Sequence, residues 1–445
     1  MKKENQKSTR DDNNNEKRTS KLVLDVHDKP SIAKWIILSI QHVFAMFGAT
    51  VLVPIIVNEA AGMEVLPIPV ALFASGIGTL IYILCTKAKS PIYLGSSFAF
   101  IGPVAAGAAI AGKAGAYTGI MAAGLIYIIF ALIIKMIGRG WINKLLPPIV
   151  IGPMIMIIGL SLAPWAVTQI GIVEGATFDW QPVVVALVSL LVTAGVALYA
   201  KGFLKIIPFI CGIAAGYILA SCFGMIDFNP VQEASWFDVP NIVLPFLSYN
   251  LNFSAILTIA PIALVTICEH IGDHTALGKI IDKDLLTDPG LDNTLLGDGI
   301  ATAVAGALGG PANTSYGENT AVVGMTKVAS VWVTGLAAVF GIVFAFLGKL
   351  TALITTIPGP VLGGVSILLY GFIAVNGLKV LIQKQIDFDK TKNVVVAATM
   401  LVLGLGGATI SISSGDFSLA ITGMSLAAII GILLNLLLPE SKIVE

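Results

Sequence analysis

Glu269 and Glu318 are the two carboxylates set deepest in otherwise apolar sequence. Inserting an acid at the centre of a membrane helix costs about 2.5 to 3.5 kcal/mol, so two of them need a reason. The functional reading is a substrate or ion pathway; the bland one is a hydrogen-bonding fixture between helices. Around the first acid the chain reads Thr266-Ile267-Cys268-Glu269-His270-Ile271-Gly272-Asp273-His274. On a helix Asp273 shares the face of Glu269 at i,i+4, whereas His270 and His274 point elsewhere and read as structural. Two neighbouring carboxylates cannot both ionise cheaply where water is scarce, so this pair is suited to exchanging a proton. The alternative is that Asp273 lies past the helix end, in water.

The second acid sits in Gly310-Pro311-Ala312-Asn313-Thr314-Ser315-Tyr316-Gly317-Glu318-Asn319-Thr320, which makes neither a good helix nor a surface loop. Irregular backbone at membrane depth is tolerated only where it is buried in protein or lines a cavity. Gln41-His42 forms a polar pair in the first apolar segment; with Asn319 it reads as interhelical hydrogen bonding. Gly48-Ala49 and Ser97-Phe98 are places where a backbone amide could approach a ligand.

The elements that must hold these residues are membrane spans. The 445 residues are 56% hydrophobic and 12% charged, with mean hydropathy +0.91. Soluble domains carry roughly 25% charged residues, so this is a polytopic membrane protein. Zero net charge gives no reason to expect nucleic-acid binding. Cys85, Cys211, Cys222 and Cys268 lack metal-ligand spacing and read as small buried residues, so no metal or other cofactor is expected. No nucleophile or metal cluster suggests an enzyme.

Residues 1–31 are expected to form a disordered cytoplasmic tail. Apolar segments then begin near Ile36, Ile68, Phe98, Tyr117, Pro148, Pro182 and Leu204, and again near Phe253, Ile300, Tyr316, Val331, Pro360, Val394 and Leu419. This predicts an all-α protein of about fourteen spans: a first seven-span repeat over 32–224, an extracellular loop over 225–250, a second repeat over 251–439 and a cytoplasmic C-terminus over 440–445. With the N-terminus inside, cytoplasmic loops collect Lys87, Lys89, Lys135, Arg139, Lys144, Lys201, Lys205, Lys279, Lys283, Lys327, Lys379, Lys384, Lys390 and Lys392. Outside loops keep only Lys113 and Lys349. Both termini are therefore expected to be cytoplasmic.

A repeat supports the count. Thr118-Gly119 opens a span leading to Pro147–Pro153, and Thr334-Gly335 opens one leading to Pro358–Gly364. Leu94–Phe100 corresponds in position to Asn313–Glu318. An odd number of spans per half inverts the second half, and paired broken segments in inverted repeats point to a midplane binding site.

Four motifs in order, Gln41–Thr50, Tyr93–Phe100, Glu269–Gly272 and Asn313–Asn319, resemble the nucleobase–cation symporter (nucleobase–ascorbate transporter) family, especially its bacterial uracil-transporting branch. The resemblance runs from about Ile36 to Pro439. It implies core and gate domains, short extended strands opening the third and tenth spans, and a proton-coupled uracil importer of the bacterial cytoplasmic membrane. By motif position it implies that Glu269 and Glu318 accept hydrogen bonds from the ring N–H groups of uracil, while backbone amides at Ala49, Phe98 and Gly317 meet its carbonyls. Phe98 and Tyr316 would supply flat apolar contact.

Two positions depart from the family pattern. Asp273 stands where these permeases carry a histidine linked to proton coupling, with His274 one place later, which leaves the relay open among Glu269, Asp273 and His274. Ala321 replaces a glycine favoured in the wider family, a sign against the xanthine and urate permeases that are the nearest rival reading. An anion exchanger of the same architecture is disfavoured by the acids. The coupling ion is expected to be H+, the partners uracil and the lipid bilayer, and the oligomeric state stays open between monomer and homodimer.

Overall fold

The computed structural model describes residues 22–244, 251–414, 417–421 and 423–439. The chain begins α1 (Ile32–Ala61), α2 (Ile68–Cys85), β1 (Leu94–Ser96), a 3-10 turn (Phe98–Phe100) and α3 (Ile101–Ile137). It continues through α4 (Gly140–Leu145), α5 (Pro148–Ser161), α6 (Ala163–Ile170), α7 (Trp180–Tyr199), α8 (Pro208–Cys222) and α9 (Asn229–Glu233). The second half holds α10 (Phe253–Ile259), α11 (Ile262–Ile281), α12 (Leu291–Ala307), β2 (Asn313–Ser315), α13 (Gly317–Thr326) and α14 (Val331–Ala345). Last come α15 (Gly348–Thr355), α16 (Gly359–Gln383), α17 (Thr391–Leu405), the hairpin β3 (Ile410–Ser414) and β4 (Phe417–Ile421), and α18 (Gly423–Leu437).

Among the described residues seven helical stretches are long and apolar enough to cross a membrane, and four shorter apolar helices accompany them. α3 is really two helices. Ala111 and Gly112 leave helical geometry, Gly112 at φ +60°, so the chain bends between Ile101 and Tyr117. The helices sort into two groups by contact. α1, α2, α3, α10, α12 and α14 form one connected group in which α1, α2 and α12 hold the short strands and α1 touches α13, while α5 to α8 pack with α16, α17 and α18. α11 belongs with the first group and also touches α5 and α18. Small residues let the backbones close up: a Cβ on Gly124 of α3 would lie 2.5 Å from the Ala303 nitrogen of α12. In lipid such close packing substitutes for a hydrophobic driving force between helices.

At the centre β1 pairs antiparallel with β2, Leu94 opposite Ser315 and Ser96 opposite Asn313. Strands this short persist because the neighbouring helices satisfy their edges. Ser75 of α2 donates its hydroxyl to the Leu94 carbonyl (2.6 Å), Leu94 N donates to Thr79 Oγ1 (2.9 Å), and Thr302 of α12 donates to the Asn313 carbonyl (2.7 Å). Pro54 in α1 has no N–H, which frees the carbonyl of Thr50 one turn earlier. Ser96 Oγ takes it up at 2.9 Å.

Two expectations meet a different structure. Residues 22–31 are not part of a disordered tail: Leu24 bridges Val328 in parallel and Val26 is 1% exposed. The apolar alternation Leu22, Leu24, Val26 is what makes this segment pair and bury; residues 1–21 and 440–445 lie outside the described residues. The last span, expected near Leu419, begins at Gly423 because a hairpin precedes it. The loop expected over 225–250 carries α9 and rests on the α14–α15 turn, where Lys349 Nζ donates to the Val231 and Gln232 carbonyls at 2.6 and 3.0 Å. Residues 245–250 of that loop are outside the described residues.

Candidate functional site

α13 is ten residues long, about 15 Å at 1.5 Å per residue, half of a roughly 30 Å hydrocarbon core. It starts immediately after β2, just as a 3-10 turn and α3 follow β1. The paired strands therefore set two helix N-termini close together in the interior. The first amides of a helix have no intrahelical partner, and its N-terminal end favours negative charge. Glu318 lies in that first turn.

A cavity of about 1320 Å³ opens here. Its inner wall is made by Ser96, Phe98, Glu269, Asp273, Gly317 and Glu318, and α16 faces them with Leu369, Phe372, Ile373 and Asn376. Its mouth carries Arg139, Lys205, Lys279, Lys283, Lys379 and Lys384. Beyond Glu318 lies a smaller apolar pocket of about 80 Å³ between α1, α8 and α16.

α11 extends to Ile281, so Asp273 lies within the helix, one turn from Glu269, and faces the same cavity. A Cβ placed on Gly317 would be 3.7 Å from Asp273 Oδ1 and 3.9 Å from Asn376 Nδ2. Among the described residues Glu269, Asp273 and Glu318 make no ion pair, and Glu269 Oε2 has no hydrogen-bond partner. Unpaired carboxylates at this depth are costly unless something brings donors to them.

The opposite face of α11 is closed. His270 Nδ1 donates to Asp298 Oδ2 at 2.7 Å, and its Nε2 meets Thr294 Oγ1 at 2.9 Å. Ser315 of β2 donates to the same Asp298 oxygen at 3.3 Å. His274 stacks on His270 with ring centroids 3.7 Å apart. Its Nδ1 donates to the His270 carbonyl at 2.7 Å, which leaves Nε2 to meet the Tyr82 hydroxyl at 2.5 Å.

A model of the Permease family (Xan_ur_permease) matches residues 33–412. The chain belongs to that family. It is 46% identical over 422 residues to a uracil permease of Bacillus caldolyticus, covering 94% of this chain and 95% of that one. Similar relatives are the uracil permease of Bacillus subtilis (strain 168), 43% identical over 428 residues (95% and 96% covered), and that of Escherichia coli (strain K12), 39% over 435 residues (96% and 98%). These relatives are permeases, not enzymes. Among solved structures, the murine Slc26a9 anion transporter in an inward-facing state superimposes with TM-score 0.65 at 11% identity, covering 92% of this chain and 68% of that one. The transmembrane domain of the cyanobacterial bicarbonate transporter BicA does so with TM-score 0.58 at 15% identity, covering 93% and 100%. At such identities the likeness is one of fold alone.

Within this permease fold the expected site residues fall into two sets. Glu269, Asp273, Glu318, Gly317 and Phe98 share the cavity, and Phe98 also meets Tyr370 edge-on with ring centroids 5.9 Å apart. His274 and Tyr316 also border the cavity, but their side chains are buried and hydrogen-bonded to the protein, and Ala49 borders the smaller pocket. The His274 ring is fully buried, with Nδ1 on the His270 carbonyl of its own helix and Nε2 on Tyr82 of α2. Tyr316, 3% exposed, lays its ring over Gly95, where a Cβ would sit 2.3 Å from the ring. Its hydroxyl donates to the Ser96 carbonyl and accepts from Thr50 Oγ1, both at 3.1 Å, so the ring is a brace between β1 and α1. Ala49 lies in the unbroken interior of α1, where an amide serves the helix itself, and it lines the smaller pocket.

Asn319 and His42 meet as polar fixtures, the Asn319 amide donating to the His42 carbonyl at 3.1 Å; Gln41 Oε1 has no partner among the described residues. Sequence reasoning missed Asp298. Its signal was a polar stripe, Thr294, Asp298 and Thr302 at i, i+4 and i+8, all fully buried in α12. Among the described residues no group of three His, Cys, Asp or Glu is arranged to hold a metal ion.

Proposed function

We propose that this chain is a proton-coupled uracil importer of the bacterial cytoplasmic membrane, with fourteen spans in two inverted halves of seven. The observation that carries the reading is the meeting of unpaired Glu269 and Glu318 with two helix N-termini in one cavity. Uracil is flat and offers two N–H donors and two carbonyl acceptors. Carboxylates answer the donors, and the terminal amides at Phe98 and Gly317 answer the carbonyls. Phe98 gives the ring an apolar contact. Three curated relatives covering nearly the whole chain carry the name uracil permease.

The cationic mouth of the cavity supports a cytoplasmic opening, so this conformation is read as inward-open with both termini inside. The strand-bearing helices would move as a core against the gate formed by α5 to α8 and α16 to α18, alternately exposing the carboxylates. Asp273, one turn from Glu269 and beside Gly317, is the proposed proton partner. An anion exchanger of the same architecture is disfavoured because three carboxylates would repel its substrate.

Uracil is neutral, so one proton per substrate moves one positive charge inward. At 100 mV this contributes about 2.3 kcal/mol, or roughly 40-fold accumulation. Labelled uracil uptake should collapse when a protonophore is added, and unlabelled xanthine in excess should not compete. Accumulation that survives the protonophore would overturn the coupling; strong competition by xanthine would favour a purine permease.

A further inference from the structure

The N-terminal segment Leu22–Lys29 reaches the two helices that carry the cavity acids. Val23 N donates to the Lys327 carbonyl at 2.8 Å, Ala329 N to the Leu24 carbonyl at 2.9 Å, and Val331 N to the Val26 carbonyl at 2.9 Å. The segment thus adds an extended edge to the link that leaves α13. Asp25 pairs with Lys283 Nζ at 2.7 Å, just past the end of α11. The hydrogen bond from Lys283 holds the Asp25 carboxyl below its ordinary value, so the pair persists at neutral pH. Val26 enters a buried cluster with Tyr82, Leu277, Ile281, Val323 and Val331. Lys29 Nζ lies 5.2 and 5.0 Å from the rings of Trp35 and Trp332.

The two helix ends it covers share an unusual feature. α11 ends on Asp282 at φ +56° and α13 on Lys327 at φ +58°, left-handed conformations that non-glycine residues rarely adopt. Such residues persist where the surroundings over-determine them. Here the segment touches the second cap directly and the residue after the first. Among the described contacts it meets only the strand-bearing helix group and none of the facing helices, so it travels with that group and does not close the cavity.

We propose that Leu22–Lys29 is a detachable clamp that fixes the ends of α11 and α13, and through them the spacing of Glu269 and Glu318. The substrate affinity of the site then depends on a segment at the cytoplasmic surface, where a modification or partner could release it. This rests on the uracil-binding reading above. A clamp at the far end of a rigid helix can act on a site several turns away because packed elements shift as units.

The test is uracil titration of detergent-purified protein. Removing residues 1–21 should leave affinity unchanged. Removing residues 1–29, or Val26→Asp, should weaken it roughly 5- to 150-fold, the ordinary range for coupling between separate sites. A synthetic peptide of residues 22–30 added to the shortened protein should restore binding. A folded protein lacking residues 1–29 with full affinity would overturn the clamp. If that truncation does not fold, charge reversal decides: Asp25→Lys should weaken binding and Asp25→Lys with Lys283→Asp should recover it, and no recovery overturns the proposal. Failure of the full-length chain to bind uracil would instead defeat the transport reading.

Discussion

The two faces of α11 make opposite use of the same chemistry. Toward the cavity, Glu269 and Asp273 stand one turn apart with no ion pair among the described residues. Toward α2 and α12, His270 and His274 stand one turn apart and are fully engaged, with Asp298, Thr294 and Tyr82 as partners. The helix period separates i and i+1 by about 100°, so six residues can serve an open polar surface and a closed one. Polarity in a membrane span therefore does not by itself mark a site. What distinguishes the site is that its carboxylates, free of ion pairs among the described residues, face a cavity.

The comparison breaks most sharply at the carboxylates. Glu269→Gln should abolish uracil uptake while folded protein stays in the membrane, because the open face contributes little to holding the helices together. Uptake at the wild-type rate would remove Glu269 from the site. The closed face should respond in the opposite way. Asp298→Ala strips His270 and Ser315 of their shared acceptor, and breaking a buried pair costs about 3 to 5 kcal/mol. The melting temperature of the purified protein should fall clearly; an unchanged value would mean that the network is not a support.

The smallest and finest contrast lies between adjacent residues. Asp273→Asn should alter the pH profile of uptake with little loss of stability. His274→Ala should lower stability, by about 1 to 3 kcal/mol for the buried donor and acceptor it leaves unpaired, with the pH profile kept. The reverse pattern would move the proton relay to His274.

Much of this division was legible in the chain. Two acids in apolar runs, the i,i+4 phase of Asp273 on Glu269, and the correspondence of Leu94–Phe100 with Asn313–Glu318 all follow from local spacing. What was not legible depends on tertiary partners. Tyr316 borders the cavity, yet nothing local showed that Gly95 across the strand pair leaves a slot that its ring fills. The histidines could be phased away from the acids, yet nothing local named Tyr82 or Asp298 as their partners. Charges around Leu22, Leu24 and Val26 masked an alternating strand pattern whose partner lies some 300 residues later.

The central claim is that the open carboxylates receive the substrate. Its most direct test is calorimetric titration of the purified protein with uracil, comparing the native chain with Glu318→Gln. Losing a hydrogen bond to a charged group costs about 1.5 to 3 kcal/mol, or roughly 10- to 150-fold in affinity. Saturable binding that weakens by that amount in a normally folded Glu318→Gln protein is the predicted result. Equal affinity in the two proteins would contradict the site described here.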